Sequence, residues 1–509
     1  MQAESSEKVF AVNKSEVAVS QNKVECRFSA NQQKMDRVLC ASQKVEVVST
    51  EMLLGEMVVS GKIVVDVVYL TPDGEIDQAT SAFSYQVKLE NSICEPSLIY
   101  KVKAEIIDCK VQDFNEDEIR YELTVQAKVT AYPQYDIQVA NVDEGFCAQK
   151  TFSNSTKLVK DYQQKLNEVF KFDLKEKVKK VLKVDSQTIL KDIQPSDGFV
   201  TINGEDIVEV LYVEDDIEPK IKTISKIIPF SEEIEIGGVK KESLLEADIS
   251  PVVDSVSSTL DKKEEDCEIS ISRDVNLKVF VFENVEFESI KDVYSLTHST
   301  LTATNSYEYF VPERQVFFQG KIDGSVTLND DSLRIDKVIK NCSGQQKILS
   351  SFIEDDQIVV QGLASTTVIY LNDETNSTQS VEVEIPYEIK QRVGELTNDR
   401  NVEVDCVIDN VDVVAKRGKD VFVEAEIRAY AKIYYGKTDA VISEITLQEE
   451  LPKKSSALEI YFATEGQTLW DVAKDMVEDV ELLASQNQDL PEIMTGSEKI
   501  VCFRKREIN

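Results

Sequence analysis

A glycine followed eight positions later by a tyrosine, within alternating β-branched residues, occurs three times in this chain and commits most of it to β structure. The copies run from Val58-Val59-Ser60-Gly61 to Val67-Val68-Tyr69, from Val200-Thr201-Ile202-Asn203-Gly204 to Val210-Leu211-Tyr212, and from Val359-Val360-Gln361-Gly362 to Val368-Ile369-Tyr370. Val38, Val181 and Val338 precede those glycines by 23, 23 and 24 positions, each within a similar apolar segment. A period this long marks duplicated domains, because a solenoid repeat is far shorter. The glycine is read as a bulge or a close backbone approach. The tyrosine, which shares its parity, is read as a core or cross-strand aromatic.

Each copy has two halves. The first closes on an extended segment carrying an aromatic: Phe83-Ser84-Tyr85, Ile228-Pro229-Phe230 and Ile385-Pro386-Tyr387. The second holds alternating segments such as Tyr121–Val129, Glu268–Ser272 and Val421–Ala429. Period-two alternation with turns such as Pro72-Asp73-Gly74 predicts antiparallel sheets with one wet face. The expected fold is mainly β, with three tandem antiparallel β-sandwich-like repeats over 1–152, 153–306 and 307–452 and a small domain over 458–509. Leu158–Phe170 breaks the pattern, with apolar residues at helical spacing, and predicts a linker helix. Lys453-Lys454-Ser455-Ser456 reads as a polar hinge before the last domain.

Composition narrows the function. A chain of 509 residues is too long for one core, and an apolar fraction of 42% is enough to fill several. A net charge of −36 repels phosphate backbones and anionic lipid heads, which argues against nucleic-acid binding and electrostatic membrane docking. The acidity fits either a solvated surface or one shaped for a basic partner. The opening residues resemble no secretory signal, and nowhere do 18 apolar residues run together to span a bilayer. Nine scattered cysteines with no Cys-x-x-Cys spacing read as buried free thiols in a reducing compartment.

No catalytic or metal constellation emerges. His298 is the only histidine, and no phosphate-cradling glycine loop or Gly-x-Ser-x-Gly elbow is present. The acidic runs Glu116-Asp117-Glu118, Glu264-Glu265-Asp266 and Glu354-Asp355-Asp356 fall between predicted strands and read as solvated turns. A non-enzyme without metal or cofactor is expected.

The last fifty residues carry the chemistry. Ile460-Tyr461-Phe462 precedes Gly466-Gln467-Thr468-Leu469-Trp470, then two helical segments around Val472-Ala473 and Val480–Ala484, then Asn487 and the strand Lys499–Phe503. Thr468 is set to cap the first helix, with Asp471 completing a capping box. This βααβ order, with the tryptophan just after the glycine, resembles a LysM domain. The resemblance implies a ligand groove between Gly466, Thr468, Leu469 and Trp470 on one side and Asn487 and Leu490 on the other. Gln467, Val477 and Gln488 depart from the LysM pattern, and eleven acidic residues face five basic ones over 459–509. These departures lie in or beside the glycan groove.

Over nearly its full length the chain resembles the clostridial spore-coat morphogenetic family, in which tandem β domains of unknown function precede one LysM domain. The resemblance implies a sporulation protein in the mother-cell cytoplasm, at the forespore surface. Its LysM groove would bind the ATPase that polymerises into the spore coat, and other coat proteins would dock on the repeats. The alternative is a wall-associated binder of peptidoglycan or N-acetylglucosamine chains.

Overall fold

The computed structural model describes residues 9–29, 34–142, 145–216, 220–252, 257–262, 267–328, 335–342, 344–372, 374–375, 377–417, 419–454 and 456–504. The acidic run 264–266 and Ser455 of the predicted hinge lie outside them.

Alternating sequence produces long antiparallel strands. Unit 1 contains β1 (Val9–Val12), β2 (Ser15–Ser29), β3 (Arg37–Leu53), β4 (Glu56–Leu70), β5 (Ile76–Glu90), β6 (Ile99–Phe114), β7 (Glu118–Tyr132) and β8 (Gln134–Ile137). Unit 2 contains β9 (Phe146–Leu174), β10 (Val178–Ser196), β11 (Phe199–Glu214), β12 (Ile221–Glu235), β13 (Leu244–Pro251), β14 (Ser257–Lys262) and β15 (Cys267–Ser295). Unit 3 contains β16 (His298–Thr327), β17 (Ile335–Asn341), β18 (Gln345–Glu354), β19 (Gln357–Asn372), β20 (Thr378–Arg392), β21 (Asn401–Arg417) and β22 (Asp420–Glu450). The tail contains β23 (Leu458–Phe462), α1 (Leu469–Met476), α2 (Val480–Gln486) and β24 (Lys499–Phe503).

One topology recurs in the three units. A meander (β3-β4-β5, β10-β11-β12, and β17 and β18 with β19-β20) faces a second sheet of order β2-β7-β6, β9-β15 with β13 and β14, or β16-β22-β21. The first strand of the second sheet precedes the meander in sequence, so each sandwich closes only when its last strands return. Apolar residues of both sheets fill the space between, as with Met57, Val59, Ile63, Leu123 and Val125 in unit 1. Positions 152 and 306, where sequence periodicity divides the repeats, fall inside β9 and β16.

The repeated glycines answer to both of their proposed readings. Each faces a register shift, at Val47/Ser49, Leu190/Asp192 and Ile348/Ser350, and each is paired on its other side with an aromatic: Gly61 with Tyr85, Gly204 with Phe230, Gly362 with Tyr387. The aromatic ring lies over the bare backbone, where a Cβ would sit 2.3–2.5 Å from its nearest ring atom. Tyr69, Tyr212 and Tyr370 are buried core residues.

The predicted linker helix over 158–170 is instead part of β9. Leu158, Leu166, Phe170, Phe172 and Leu174 are buried and all even-numbered, a period of two that also contains the helical i, i+4 spacing. The ladder that β9 forms with β15 settles which period the backbone adopts. Three thiol readings are also corrected: Cys109 is exposed, and Cys147 and Cys406 are half-buried, while the other six cysteines are buried.

The three units share cores. Leu39, Cys40 and Val68 of unit 1 meet Leu182, Leu211 and Val213 of unit 2 and Cys342 and Ile369 of unit 3 where the meanders converge. Val9, Ala11 and Ile137 meet Phe287, Tyr307, Tyr309 and Val441 where the strand extensions converge. Between them, Tyr132, Phe280, Phe282 and Phe310 pack ring against ring.

Candidate functional site

The tail builds its site on a small core of Ala463, Val472, Ala473, Met476, Leu483, Met494, Ile500 and Cys502. Thr468 caps α1: its hydroxyl accepts from Asp471 N, and its own N–H donates 2.7 Å to the Asp471 carboxylate, the predicted capping box. Gly466 turns the chain at φ +92°, a conformation in which a side chain is strained. Its N–H donates to Met494 O, and Met494 N donates back to Gln467 O, so the loop after β23 is stitched to the loop before β24. Val477 ends α1 in the left-handed conformation at φ 48°, where a β-branched residue is strained.

The predicted groove residues have different surroundings. Gly466, Thr468, Leu469 and Trp470 form one continuous turn, with Leu469, Trp470 and Leu490 packed against the tail core. Asn487 uses its amide inside the fold: Nδ2 donates 2.8 Å to Leu483 O and 2.8 Å to Val501 O, and Oδ1 accepts from Val501 N. Gln467 is similarly engaged with Thr464 N, Tyr461 Oη and Asp475.

Trp470 reaches outside the tail. Its indole stands edge-on to Tyr294 of β15, with centroids 5.1 Å apart, and Nε1 donates 2.8 Å to Asp292. Lys474 pairs with the same carboxylate at 2.6 Å, and the Tyr294 hydroxyl donates 2.6 Å to Glu478 O. The tail is thus docked on the extended ribbon of unit 2. Nothing in the sequence pointed to Asp292 or Tyr294, which lie almost 180 positions before Trp470. Burial raises the Asp292 carboxyl, but the bonds from Lys474 and Trp470 outweigh it and hold the group below its ordinary value. A carboxylate depressed on docking stabilises the contact above its free pKa, near 3.9, and that contribution is lost as pH falls through the docked value. Asp292→Ala is therefore expected to give, at pH 7, the Trp470 emission that the parent protein reaches only in acid; unchanged emission would show that the bond does not hold the indole.

A second surface emerges on the tail sheet. The outer edge of β24 is covered by side-chain amides: Gln486 pairs with both backbone groups of Phe503, and Asn487 with both of Val501. The outer edge of β23 has no such cover. Its register places the outward backbone groups on Leu458, Ile460 and Phe462, for which no backbone partner is found among the described residues. The side chains of these residues are 49%, 50% and 66% exposed, and Phe503 beside them is 59% exposed. An apolar strand with a free edge is a template for strand addition.

His298 Nδ1 lies 3.0 Å from Thr297 Oγ1, and among the described residues no group of three or more His, Cys, Asp or Glu is placed to hold a metal. Among the described residues no helix is long and apolar enough to cross a membrane. Residues 116–117 and 355–356 form the turns between β6 and β7 and between β18 and β19, as expected, while Glu118 opens β7 and Glu354 closes β18.

The family model for the SipL SPOCS domain matches residues 177–261 and 334–416. Those two segments are SPOCS domains of the SipL type. The matched segments begin at the meanders of units 2 and 3, and each reaches a strand paired to the last strand of its unit. Unit 1 has the same strand order, and the tail lies outside the matched segments. The match to the SPOCS domain supports a sporulation-related protein, with the spore coat as its setting. Neither a curated protein nor a solved structure matches significantly.

Proposed function

We propose that this chain is a non-catalytic adaptor of spore-coat assembly, working in the mother-cell cytoplasm at the forespore surface. Its LysM-like tail binds the coat morphogenetic ATPase, and the three sandwiches position that tail and dock further coat proteins, promoting encasement. The observation that carries this reading is the uncovered β23 edge, where Leu458, Ile460, Phe462 and Phe503 present an apolar face on an acidic module. A face of this kind suits an extended segment of a protein partner, whose backbone completes the sheet while alternate side chains cover the apolar residues. Sugar recognition in the loop groove is the weaker reading, because the polar groups of Gln467 and Asn487 are already engaged within the fold.

Surface plasmon resonance with the full chain and the purified coat ATPase tests the proposal, with chitin oligomers and muropeptides as competitors. Phe462→Asp is expected to weaken ATPase binding at least about tenfold, or about 1.4 kcal/mol, while the sugars leave it unchanged. Competition by sugars, or full affinity in Phe462→Asp, would overturn the assignment.

A further inference from the structure

One layer of the unit 2 core is charged where its sister units are apolar. Two residues after the repeated glycines stand Ile63, Asp206 and Ala364, paired across the meander with Val45, Thr188 and Gln346. The facing sheet carries Leu123, Arg273 and Ala425, each seven positions before Thr130, Phe280 or Lys432, the residues that pair with Lys101, Glu246 and Glu403. Their neighbours on the first strand of that sheet are Val24, Glu168 and Ile322.

In unit 2 this layer is sealed inside the sandwich. Asp206 and Arg273 are 0% and 2% exposed. Arg273 Nη2 donates to Asp206 Oδ1, which also accepts from Thr188 Oγ1 at 2.8 Å, and the guanidinium lies 5.4 Å from the centre of the Phe170 ring. Asp206 Oδ2 and Arg273 Nε are also buried, yet neither has a hydrogen-bond partner among the described residues. The layer cuts the core in two. Leu166, Ile202 and Val275 belong to one apolar cluster and Phe170, Val208 and Ile271 to another, whereas the apolar residues between the sheets of unit 1, and of unit 3, form one continuous cluster.

Two desolvated charges with unmet hydrogen bonds hold a sandwich together less well than apolar side chains of the same size. The effect of the layer lies in what it forbids. We propose that it is a pairing key, which directs the returning strand β15 onto its own meander and bars it from the meanders of units 1 and 3. The three sandwiches share one topology and each closes only when its last strands return, so β15 meets three similar meanders in one chain. On a foreign meander Arg273 would be buried against Ile63 or Ala364 with no carboxylate. Asp206, left under Leu123 or Ala425, would have no cation. Each mispairing strands a buried charge, and an uncompensated charge in a core is strongly destabilising. Leu123 over Ala364, or Ala425 over Ile63, would stay apolar, so the key marks the middle unit alone. Units 1 and 3 are kept apart by the whole of unit 2 between them in the chain.

The test installs unit 1's residues in the full chain: Glu168→Val, Thr188→Val, Asp206→Ile and Arg273→Leu together. A second variant, Asp206→Ile with Arg273→Leu, makes the smaller change. Each protein is unfolded in guanidinium chloride and refolded by dilution. The fraction that returns as monomer with native emission from Trp470, whose indole rests on Tyr294 of β15, is then measured. Both variants are expected to melt at least about 2 °C above the parent, because the charged layer is gone. Both are nevertheless expected to give at least about twofold less native protein on refolding, because β15 no longer distinguishes the meanders. A variant that refolds as completely as the parent would overturn the proposal. So would a lower melting temperature in both, or failure of both to fold when expressed, since the layer would then stabilise the sandwich and not select its partner.

Discussion

Replacing Lys101 with methionine is expected to remove about 3–5 kcal/mol of stability at pH 7, because it leaves the buried carboxylates with one cation fewer and vacates hydrogen bonds to Glu246 and Glu403. The Lys101 ammonium donates 2.7 Å to Glu246 and 2.8 Å to both Glu403 oxygens, and lies 3.3 Å from Asp248. Lys14 adds bonds to Glu246 at 2.9 Å and Glu403 at 3.1 Å, and Lys432 reaches Asp248 and, at 3.1 Å, Asp405. One cluster thereby joins all three units. Register makes Lys101, Glu246 and Glu403 the same position in the three sandwiches, since each pairs with the corresponding residue of β7, β15 or β22: Thr130, Phe280 and Lys432. One lysine meeting two glutamates makes three similar faces unequal and selects their order around the shared core.

The same cluster fixes a pH dependence. Burial alone would raise the Glu246 carboxyl, yet Lys101 and Lys14 outweigh burial and hold it at about 2. A depressed carboxylate contributes stability above its unfolded value, near 4.3, and that contribution drains away as pH falls from there toward 2. Urea titrations at pH 7 and pH 3 are the measurement. A Lys101→Met loss below about 1 kcal/mol at pH 7, or no smaller loss at pH 3, would contradict this account.

Gly61→Ala is the second large effect. The added Cβ would lie 2.0 Å from Glu46 O and 2.5 Å from Tyr85 Cε1. The tyrosine cannot swing away cheaply, because it is buried and its hydroxyl donates 3.1 Å to that same Glu46 oxygen. A clash with a backbone oxygen on one strand and a pinned ring on the other forces the sheet apart, at about 1–3 kcal/mol or more. Gly362→Ala should behave alike, with Lys347 O at 2.4 Å and the Tyr387 ring at 2.5 Å. Gly436→Ala is the internal control: it also lies in a strand, nothing stands within 4 Å of its Cβ position, and its φ is ordinary. Thermal unfolding of the three variants should separate the first two from the third; equal melting temperatures would mean that the rings do not require bare glycine beneath them.

Much of this architecture could be read from the chain because it depends on neighbours in sequence. Strand alternation, the turns at 72–74 and 355–356, the Thr468–Asp471 cap and the βααβ order of the tail are set within a few residues. The glycines were visible through repetition, though not the aromatic that each one faces. The Leu158–Phe170 error has the same root: burial at even positions spaced by four satisfies a helix and a strand equally, and only pairing with β15 distinguishes them.

What the sequence by itself determined is therefore the β character, the triplication and the βααβ order of the tail. Only the tertiary structure decided that lysines and carboxylates from three units meet in one buried cluster, that Cys40 and Cys342 share one apolar core, that Trp470 lies against Tyr294 and Asp292, and that among the described residues one edge of the tail sheet is covered while the other is bare. The reason is physical. A charge, a thiol or an indole has the same local pattern whether it faces water or a partner a hundred residues away, and its energy is set by what the folded chain places beside it.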